Sequence, residues 1–180
     1  MSYLQMDSNK KFVHVSFRIP TEVKAALEME AKRRRTNVNS LVGQILAKYT
    51  SFDRIIEHIE AIPLNKPLFV GILDKIELGE MEEFGKELGP KLVKKTFAFL
   101  SLEFDIDGLI QNYFEPVSMY SRWYSFNVAG SGVNRRLLFE HPFGAKWSAF
   151  LKLYLGGIIR SATGSEPRIN VDEGLVTIFC

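Results

Sequence analysis

Three polar residues near the amino end, His14, Ser16 and Arg18, could act together as a hydrogen-bonding surface. They alternate with apolar residues at Val13, Val15, Phe17 and Ile19. Successive side chains of a β-strand point to opposite faces, so the polar three would share one face at spacings of about 7 Å. An imidazole, a hydroxyl and a guanidinium on that face can donate and accept hydrogen bonds. The alternation predicts a strand over residues 12–20 with one polar and one apolar face.

The predicted strand has no partner nearby in its own chain. The residues that follow it are patterned as helices, whereas the backbone N–H and C=O groups of a strand need hydrogen-bonding partners. The same strand of a second copy is the simplest partner. The sequence therefore predicts that two copies of the chain pair through this segment.

Two amphipathic helices follow the strand. Residues 20–22 are typical of a helix start, and the basic tract 32–35 closes that helix where the dipole favours cations. Its apolar stripe is Val23, Ala26, Leu27 and Ala31. After a turn at residues 36–37, a second helix is predicted from Val38, because apolar residues recur at helical spacing. This second stripe is Val38, Leu41, Val42, Ile45, Leu46 and Tyr49, and it continues near the same phase at Phe52, Ile55, Ile56 and Ile59.

The order of strand, helix, tight turn and helix resembles the ribbon-helix-helix family of DNA-binding domains, which includes the Arc and methionine repressors. The likeness is carried by Arg18-Ile19-Pro20 at the strand end, by the polar strand face, and by Val38-Asn39-Ser40 at the opening of the second helix. It covers residues 10–52. One departure is the turn, where many members have Gly and this chain has Arg35-Thr36-Asn37. A left-handed backbone there would fall on Asn37 or on a strained neighbour.

The resemblance implies an obligate homodimer whose two antiparallel strands enter the major groove of double-stranded DNA. His14, Ser16 and Arg18 match the base-reading positions of the family, and an arginine is suited to a bidentate contact with guanine. A monomer would leave the apolar strand face uncovered and a sheet edge unpaired. The alternative interpretation is an ordinary solvent-facing side of a strand.

The start of the second helix is the expected phosphate-binding site. Free backbone N–H groups and the helix dipole favour an anion there, and polar side chains can add hydrogen bonds. The residues are Asn37, Val38, Asn39 and Ser40. Additional DNA contacts are expected from Lys10, Lys11 and Arg35. Asn37 also suits a plain helix cap, and the two roles are compatible.

Basic residues concentrate at the amino end of this 180-residue chain. Residues 1–52 hold nine Lys and Arg against four Asp and Glu, whereas the remainder holds fourteen against seventeen. A basic head on an acidic body suits a nucleic-acid contact at one end. The other interpretation is that the excess reflects only the tract at residues 32–35.

Bulk features indicate a cytoplasmic protein. Cys180 is the single cysteine, which excludes an internal disulfide framework or a cysteine zinc cluster within one chain. The polar first residues do not resemble a signal peptide, and no apolar run is long enough to span a bilayer. Residues 1–9 are expected to form a flexible arm, and residues 53–63 a helical connector.

The remaining residues, 64–180, predict an α+β domain with an antiparallel sheet. Helices are expected over residues 66–76, over 79–100 with a break or kink at Gly89-Pro90, over 105–114 with an end at Pro116, and over 143–162. Strands are expected at residues 123–128 and 135–140, forming a hairpin, and at 168–171 and 175–179. From the first hairpin onward, the order of elements is similar to small-molecule-binding domains of the 4-vinyl-reductase type, but cysteines that those domains often have are absent.

Catalytic or metal chemistry has little support in the sequence. His58 and His141 are the only histidines of the body, and His141 is expected to cap or pack at a strand-to-helix junction. No nucleophile, phosphate-loop or metalloprotease motif occurs, so we expect neither an enzyme nor a bound metal or cofactor. An aromatic group could line a pocket for an unknown effector, although core packing is the commoner role. Its members are Tyr113, Phe114, Tyr120, Trp123, Tyr124 and Phe126.

Three functions remain open on these grounds. The first is a sequence-specific transcriptional regulator whose body senses a ligand or mediates assembly, with dimers that could associate further on DNA. The second is an antitoxin whose body binds a partner protein, although antitoxins of this family usually carry short unfolded tails. The third is an enzyme attached to a DNA-binding head.

Overall fold

The computed structural model describes residues 13–59, 61–132 and 135–180. The chain divides into two compact units, the first ending at Leu46 and the second spanning Ala47–Cys180. Residues 1–12, which include the predicted arm, Lys10, Lys11 and the first strand residue Phe12, lie outside the described residues.

The first unit contains the predicted pair of helices. Helix α1 spans Thr21–Arg33 and begins directly after Pro20, and α2 spans Val38–Lys48. Asn37 caps α2, since its Oδ1 accepts a hydrogen bond from the Ser40 N–H at 2.8 Å. The left-handed residue of the turn is Arg35, with φ of 53°, and not Asn37. A bulky residue pays a steric cost in that conformation.

The predicted strand stays a prediction in this unit. Residues 13–20 form neither helix nor strand in the single chain. A strand is defined by its hydrogen bonds to a neighbour, and the neighbour expected here belongs to a second copy. A single chain therefore does not test the ribbon.

The second unit begins with the continuation of α2. A π-helical turn at Tyr49–Asp53 leads into α3 at Arg54–His58, so the predicted helical extension past Tyr49 is confirmed as far as His58. The buried Phe52 ring packs on Tyr120, with ring centroids 5.4 Å apart.

Two further helices confirm their predicted starts. Helix α4 spans Lys66–Lys75 and is capped by Asn65, whose Oδ1 accepts from the Leu68 N–H at 3.0 Å. Helix α6 spans Ile106–Leu109, and its cap Asp105 accepts from the Gly108 N–H at 2.7 Å.

Of the break or kink expected at Gly89-Pro90, the break is wrong, because α5 runs without interruption over Leu78–Phe99. The two residues lie where α5 packs on α7, which spans Gly144–Thr163. A Cβ on Gly89 would lie 2.6 Å from the carbonyl oxygen of Tyr154, and a Cβ on Gly157 would lie 3.0 Å from the Pro90 ring. Glycine here permits close approach of two helices, and the proline ring fills part of their interface.

The expected helix end at Pro116 is also wrong. The helix that begins with α6 continues through π-helical turns at Ile110–Phe114 and Val117–Ser121. Proline removes one hydrogen bond from an α-helix, and the wider π-helical turns on either side accommodate that loss. The chain leaves this helix at Arg122, whose φ of 58° is left-handed.

The predicted antiparallel sheet is confirmed. Its strands are β1 at Ser125–Ala129, β2 at Arg136–Glu140, β3 at Arg168–Asp172 and β4 at Leu175–Phe179, in the order β1-β2-β4-β3. Alternate residues of β2 and β4 are enclosed, and α7 packs on β3 and β4. The fully buried members of this core include Leu137, Phe139, Val176, Ile178, Leu151, Leu155 and Ile158. The second unit is thus an α+β domain with its own core.

Candidate nucleic-acid interface

The segment of residues 13–20 is exposed along its whole length. The predicted base-reading residues His14, Ser16 and Arg18 all reach solvent. The apolar residues between them are exposed as well, at 84% for Val13, 66% for Val15, 55% for Phe17 and 38% for Ile19. Within the described part of the chain, no hydrogen bond joins residues 13–19 to any other residue. Both faces of the segment, and its backbone, are therefore open to a partner.

The two helices of the first unit leave further apolar surface uncovered. Ala31 and Leu41 are buried, whereas Val23, Met29, Ile45 and Leu46 are exposed. Exposed apolar residues mark an interaction surface where they form one contiguous patch. Val23, Ile45 and Leu46 belong to the apolar stripes predicted for these two helices.

The start of α2 presents free backbone donors. The Ser40 N–H is used by the Asn37 side chain, and the Leu41 N–H is used by the Asn37 carbonyl at 3.0 Å. The N–H groups of Val38 and Asn39 have no acceptor among the described residues. Two free amides at the positive end of an eleven-residue helix are suited to bind an anion. Asn39 and Ser40 are exposed beside them and can add side-chain donors.

The basic tract at residues 32–35 is only partly neutralised. Arg33 and Arg34 both bind the carboxylate of Glu30, the former through its Nε at 2.7 Å, and these hydrogen bonds lower the pKa of Glu30 to about 2. Arg35 and Lys32 have no carboxylate partner in the part of the chain that the structure describes. These two side chains are therefore not neutralised by a carboxylate of the described residues, and the DNA contact expected of Arg35 stays a prediction.

His141 of the second unit is packed into the fold. His141, as predicted, lies at the junction before α7, where its Nδ1 accepts from the Phe143 N–H at 3.3 Å. Its Nε2 therefore carries the proton and donates to Ser148 Oγ at 3.0 Å. The hydroxyl of Ser148 in turn donates to the Asp172 carbonyl at 3.1 Å and accepts from the Gly174 N–H at 3.2 Å. Because the histidine lone pair is already occupied, the pair ties the junction before α7 to the β3–β4 turn and does not activate the serine.

The other histidine and the acidic residues give no metal site. His58 stacks on Phe99, with ring centroids 3.6 Å apart. Over residues 13–59, 61–132 and 135–180, no three His, Cys, Asp or Glu side chains are grouped to hold a metal ion. Over the same ranges, no helix has the length and apolar character needed to span a membrane.

The aromatic group predicted from the sequence is part of the core. Phe114 and Tyr124 are buried, and Tyr113, Tyr120, Trp123 and Phe126 pack against the same cluster. Sequence reasoning missed Tyr154 of α7, whose hydroxyl lies 2.7 Å from that of Tyr113. Nothing local could have found this pair, because 41 positions separate the two residues.

Comparison with known proteins adds no assignment, since neither a scan of family models nor searches of curated proteins and solved structures find a match.

Proposed function

We propose that this chain is a sequence-specific DNA-binding transcriptional regulator that acts as a homodimer. Two copies pair residues 12–20 into an antiparallel ribbon, which enters the DNA major groove with His14, Ser16 and Arg18 toward the bases. The second unit then serves as a sensing or assembly domain attached to the DNA-binding head.

The observation that carries the proposal is the exposed alternating segment at residues 13–19. Four exposed apolar side chains forgo the stabilisation that burial would give, and the backbone of the segment is an open template for strand pairing. Pairing with a twin segment satisfies both at once, because it forms a two-stranded ladder and turns one apolar face inward. The opposite face then carries two copies of the polar triplet, and a two-stranded ribbon fits the major groove.

The start of α2 supports the same proposal independently. The free amides of Val38 and Asn39 lie at the helix end that Asn37 caps, and Arg35, which has no carboxylate partner among the described residues, is two positions before that cap. Contacts from such a surface to phosphate would fix the register of the ribbon without reading sequence. In this division of roles, residues 14–18 provide discrimination and residues 35–40 provide affinity.

The enclosed core of the second unit favours regulation over the antitoxin alternative. An antitoxin tail of the usual kind folds only on its toxin, whereas this unit buries its sheet against α7 within one chain. A prefolded domain suits a ligand-sensing or assembly role.

The test is a binding-site selection from random duplexes with the full chain, followed by titration of variants on the selected operator and on random DNA. Arg18→Ala should reduce the difference between operator and random DNA by about 1 to 3 kcal/mol, because it removes one bidentate base contact. Asn39→Ala should weaken binding to both duplexes alike. Lys152→Ala removes an exposed cation from α7 of the second unit and serves as the charge control. Failure to select any sequence, or equal discrimination by Arg18→Ala and the parent, would refute the proposal.

A further inference from the structure

Helix α5 has one side that the second unit leaves uncovered. Residues 77, 80, 84, 88, 91 and 95 recur every three or four positions, so they follow one side of the helix. All six are exposed, and we call them the α5 outer face. They are the cap residue Glu77 and the helical residues Glu80, Phe84, Leu88, Lys91 and Lys95. Another side of the helix, which includes Met81, Gly85 and Val93, is buried.

The centre of the outer face is apolar. Phe84 and Leu88 are one helical turn apart, and their side chains are 56% and 37% exposed. The Phe84 ring contacts Phe150 only loosely, with ring centroids 6.3 Å apart. More than half of Phe84 therefore stays in water in a single chain, where burial against a partner would stabilise it.

Opposite charges lie on the two sides of this apolar centre. Glu77 and Glu80 are at the amino end, and Lys91 and Lys95 are toward the carboxyl end. The two glutamates form a capping box, in which Glu80 Oε2 accepts from the Glu77 N–H at 3.4 Å. Over the described ranges, no salt bridge joins any of the four side chains to another residue. Their charges are open to a partner of opposite charge.

The helix dipole does not account for this order of charges. The dipole favours cations within the last turn of a helix, whereas Lys91 lies eight residues before the last helical residue, Phe99. It also gives no reason for two large apolar side chains between the charges.

A second copy of the outer face, turned end for end, matches the first. When Phe84 of one copy lies opposite Leu88 of the other, Glu77 lies opposite Lys95, and Glu80 lies beside Lys91. A two-fold axis repeats every contact, as in other self-complementary interfaces. A parallel copy would instead bring like charges together, so only the antiparallel arrangement is complementary.

The exposed apolar pair of α4 lacks this match. Leu68 and Ile72 are also one turn apart, and they are 51% and 43% exposed. However, α4 has no acidic residue in its first turn, while Lys75 lies in its last turn. An antiparallel copy of α4 would therefore bring no carboxylate from its first turn to Lys75. The charges favour α5 as the self-pairing helix.

We propose that the α5 outer faces of two copies pair antiparallel within the homodimer. The inference rests on the homodimer of the proposed function, because the ribbon would hold two chains together and raise the local concentration of their second units. One helix face is small beside the roughly 1,200 Å² that a stable specific interface buries, so α5 alone pairs weakly. Phe84 and Leu88 supply apolar contact, and the charges fix the direction of the pairing.

The first test reverses one charge at each end of the outer face in the full chain. Glu80→Lys and Lys91→Glu each turn two attractive pairs of the dimer into repulsive ones, so each variant alone should raise the dimer dissociation constant about tenfold. In an equal mixture of the two variants, all these pairs are attractive again, and the dissociation constant should return to the parent value. Sedimentation equilibrium measures the constants, and circular dichroism checks that each variant keeps its helices.

The matched control is Lys86→Glu, which makes the same change of charge as Lys91→Glu. Lys86 is exposed on the same helix but lies about 140° around it from Lys91, so its dissociation constant should equal that of the parent. A mixture that dissociates as readily as each variant alone, or a Lys91→Glu effect no larger than that of Lys86→Glu, would overturn the proposal.

The second test measures a distance between copies and keeps all four charges. Glu87 is exposed at the edge of the outer face, three residues from Phe84 and four from Lys91. Packed helices lie about 8–10 Å apart, so a spin label at Glu87→Cys, with Cys180→Ser, should give one distance below about 25 Å. A label at Lys86→Cys should give a longer one. No coupling between Glu87 labels, or equal distances for the two positions, would overturn the proposal.

These outcomes are separable from those of the proposed function. A short Glu87 distance in a chain that selects no operator would count against the regulator and support the α5 contact. Operator selection by a chain whose Glu87 labels show no coupling would support the regulator and overturn the α5 contact.

Discussion

In the second unit, alternate apolar side chains of β2 and β4 and most of those of α7 are enclosed by the chain itself, whereas in the first unit the apolar residues of 13–19 remain exposed. Leu137, Phe139 and Leu155 have no exposed surface, but Phe17 is 55% exposed. Burial of a large apolar side chain contributes about 1.5 to 3 kcal/mol, so the difference is large in energy. A single chain thus encloses a core in its second unit, while the segment 13–19 of its first unit stays exposed.

The largest effect on this difference between the units is expected from a charge at position 17. In the proposed dimer, Phe17→Asp buries two unpaired carboxylates, at a cost of several kcal/mol each, and should abolish dimer formation and operator binding. Sedimentation equilibrium reports the mass and a DNA titration reports the affinity.

The matched control is Met119→Asp in the second unit. Met119 is also 55% exposed, so a charge there costs little if a single chain completes this unit. A dimer that survives Phe17→Asp, or one that is lost equally with Met119→Asp, would contradict the assignment of the interface to the first unit.

The next effect concerns the helix contact that closes the second unit. Gly89→Ala places a Cβ 2.6 Å from the Tyr154 carbonyl oxygen, so the backbones must separate. We expect a loss of about 3 kcal/mol in the free energy of unfolding, at the upper end for overpacked sites. Urea unfolding measures this loss.

Gly79→Ala on the same helix is the control, because nothing lies within 4 Å of its Cβ position. Alanine there should leave stability unchanged or raise it by up to about 1 kcal/mol. If both substitutions are tolerated equally, α5 and α7 do not approach as closely as the structure shows.

The buried His141 should make the free energy of unfolding depend on pH. Burial lowers its pKa from 6.5 to about 4, so the folded state holds the neutral ring while the unfolded state takes up a proton below about pH 6.5. The stabilisation that comes from keeping the ring neutral is complete above that pH and is lost as the pH falls toward 4. The free energy of unfolding should therefore fall by about 2 kcal/mol between about pH 7 and pH 5. Chemical unfolding across that range is the measurement. His141→Gln should flatten this part of the profile, and an unchanged slope in the variant would refute the account.

The smallest effect compares two asparagine caps with the same geometry. Asn37 caps α2 at 2.8 Å and Asn65 caps α4 at 3.0 Å. Replacement of either by Ala should cost about 1 kcal/mol of stability. Only Asn37→Ala should also weaken DNA binding, by a similar factor on operator and random duplexes, because its cap is part of the proposed phosphate site. Equal DNA affinity for the two variants would remove Asn37 from that site.

Short sequence patterns predicted the features of the fold that depend only on neighbouring residues, such as helix caps and hairpin turns. Asn37, Asn65 and Asp105 were recognisable as caps because a short polar side chain precedes a helical pattern. The glycines at 130–132 and at 174 marked the two hairpins of the sheet in the same way. These features need only a few neighbouring residues.

Contacts between distant residues decided the parts that the sequence did not reveal. Gly89-Pro90 has the local signature of a helix break, but close packing against Tyr154 and Gly157 gives both residues a role inside a continuous helix. Pro116 is tolerated because the turns around it are π-helical. The partner of Tyr113 comes from α7, so the pattern around residues 113–126 showed an aromatic group without its hydrogen bonds.

The candidate site also has features that the sequence shows and features that only the structure shows. The alternation at residues 13–19 and the cap at Asn37 are readable from the sequence, whereas the neutralisation of Arg33 and Arg34 by Glu30 appears only in the structure. That pairing leaves Lys32 and Arg35 as the cations of the tract without a carboxylate partner among the described residues.

The central claim, that residues 12–20 pair with their twin in a second copy, is tested most directly by a distance between two copies of one position. A spin label at Ser16→Cys, in a chain carrying Cys180→Ser, reports that distance by pulsed electron resonance. Adjacent antiparallel strands lie about 4.8 Å apart, so with the label arms and an offset from the symmetry axis we predict a single distance below about 20 Å. A label pair far beyond that distance, or no dipolar coupling at all, would contradict the account.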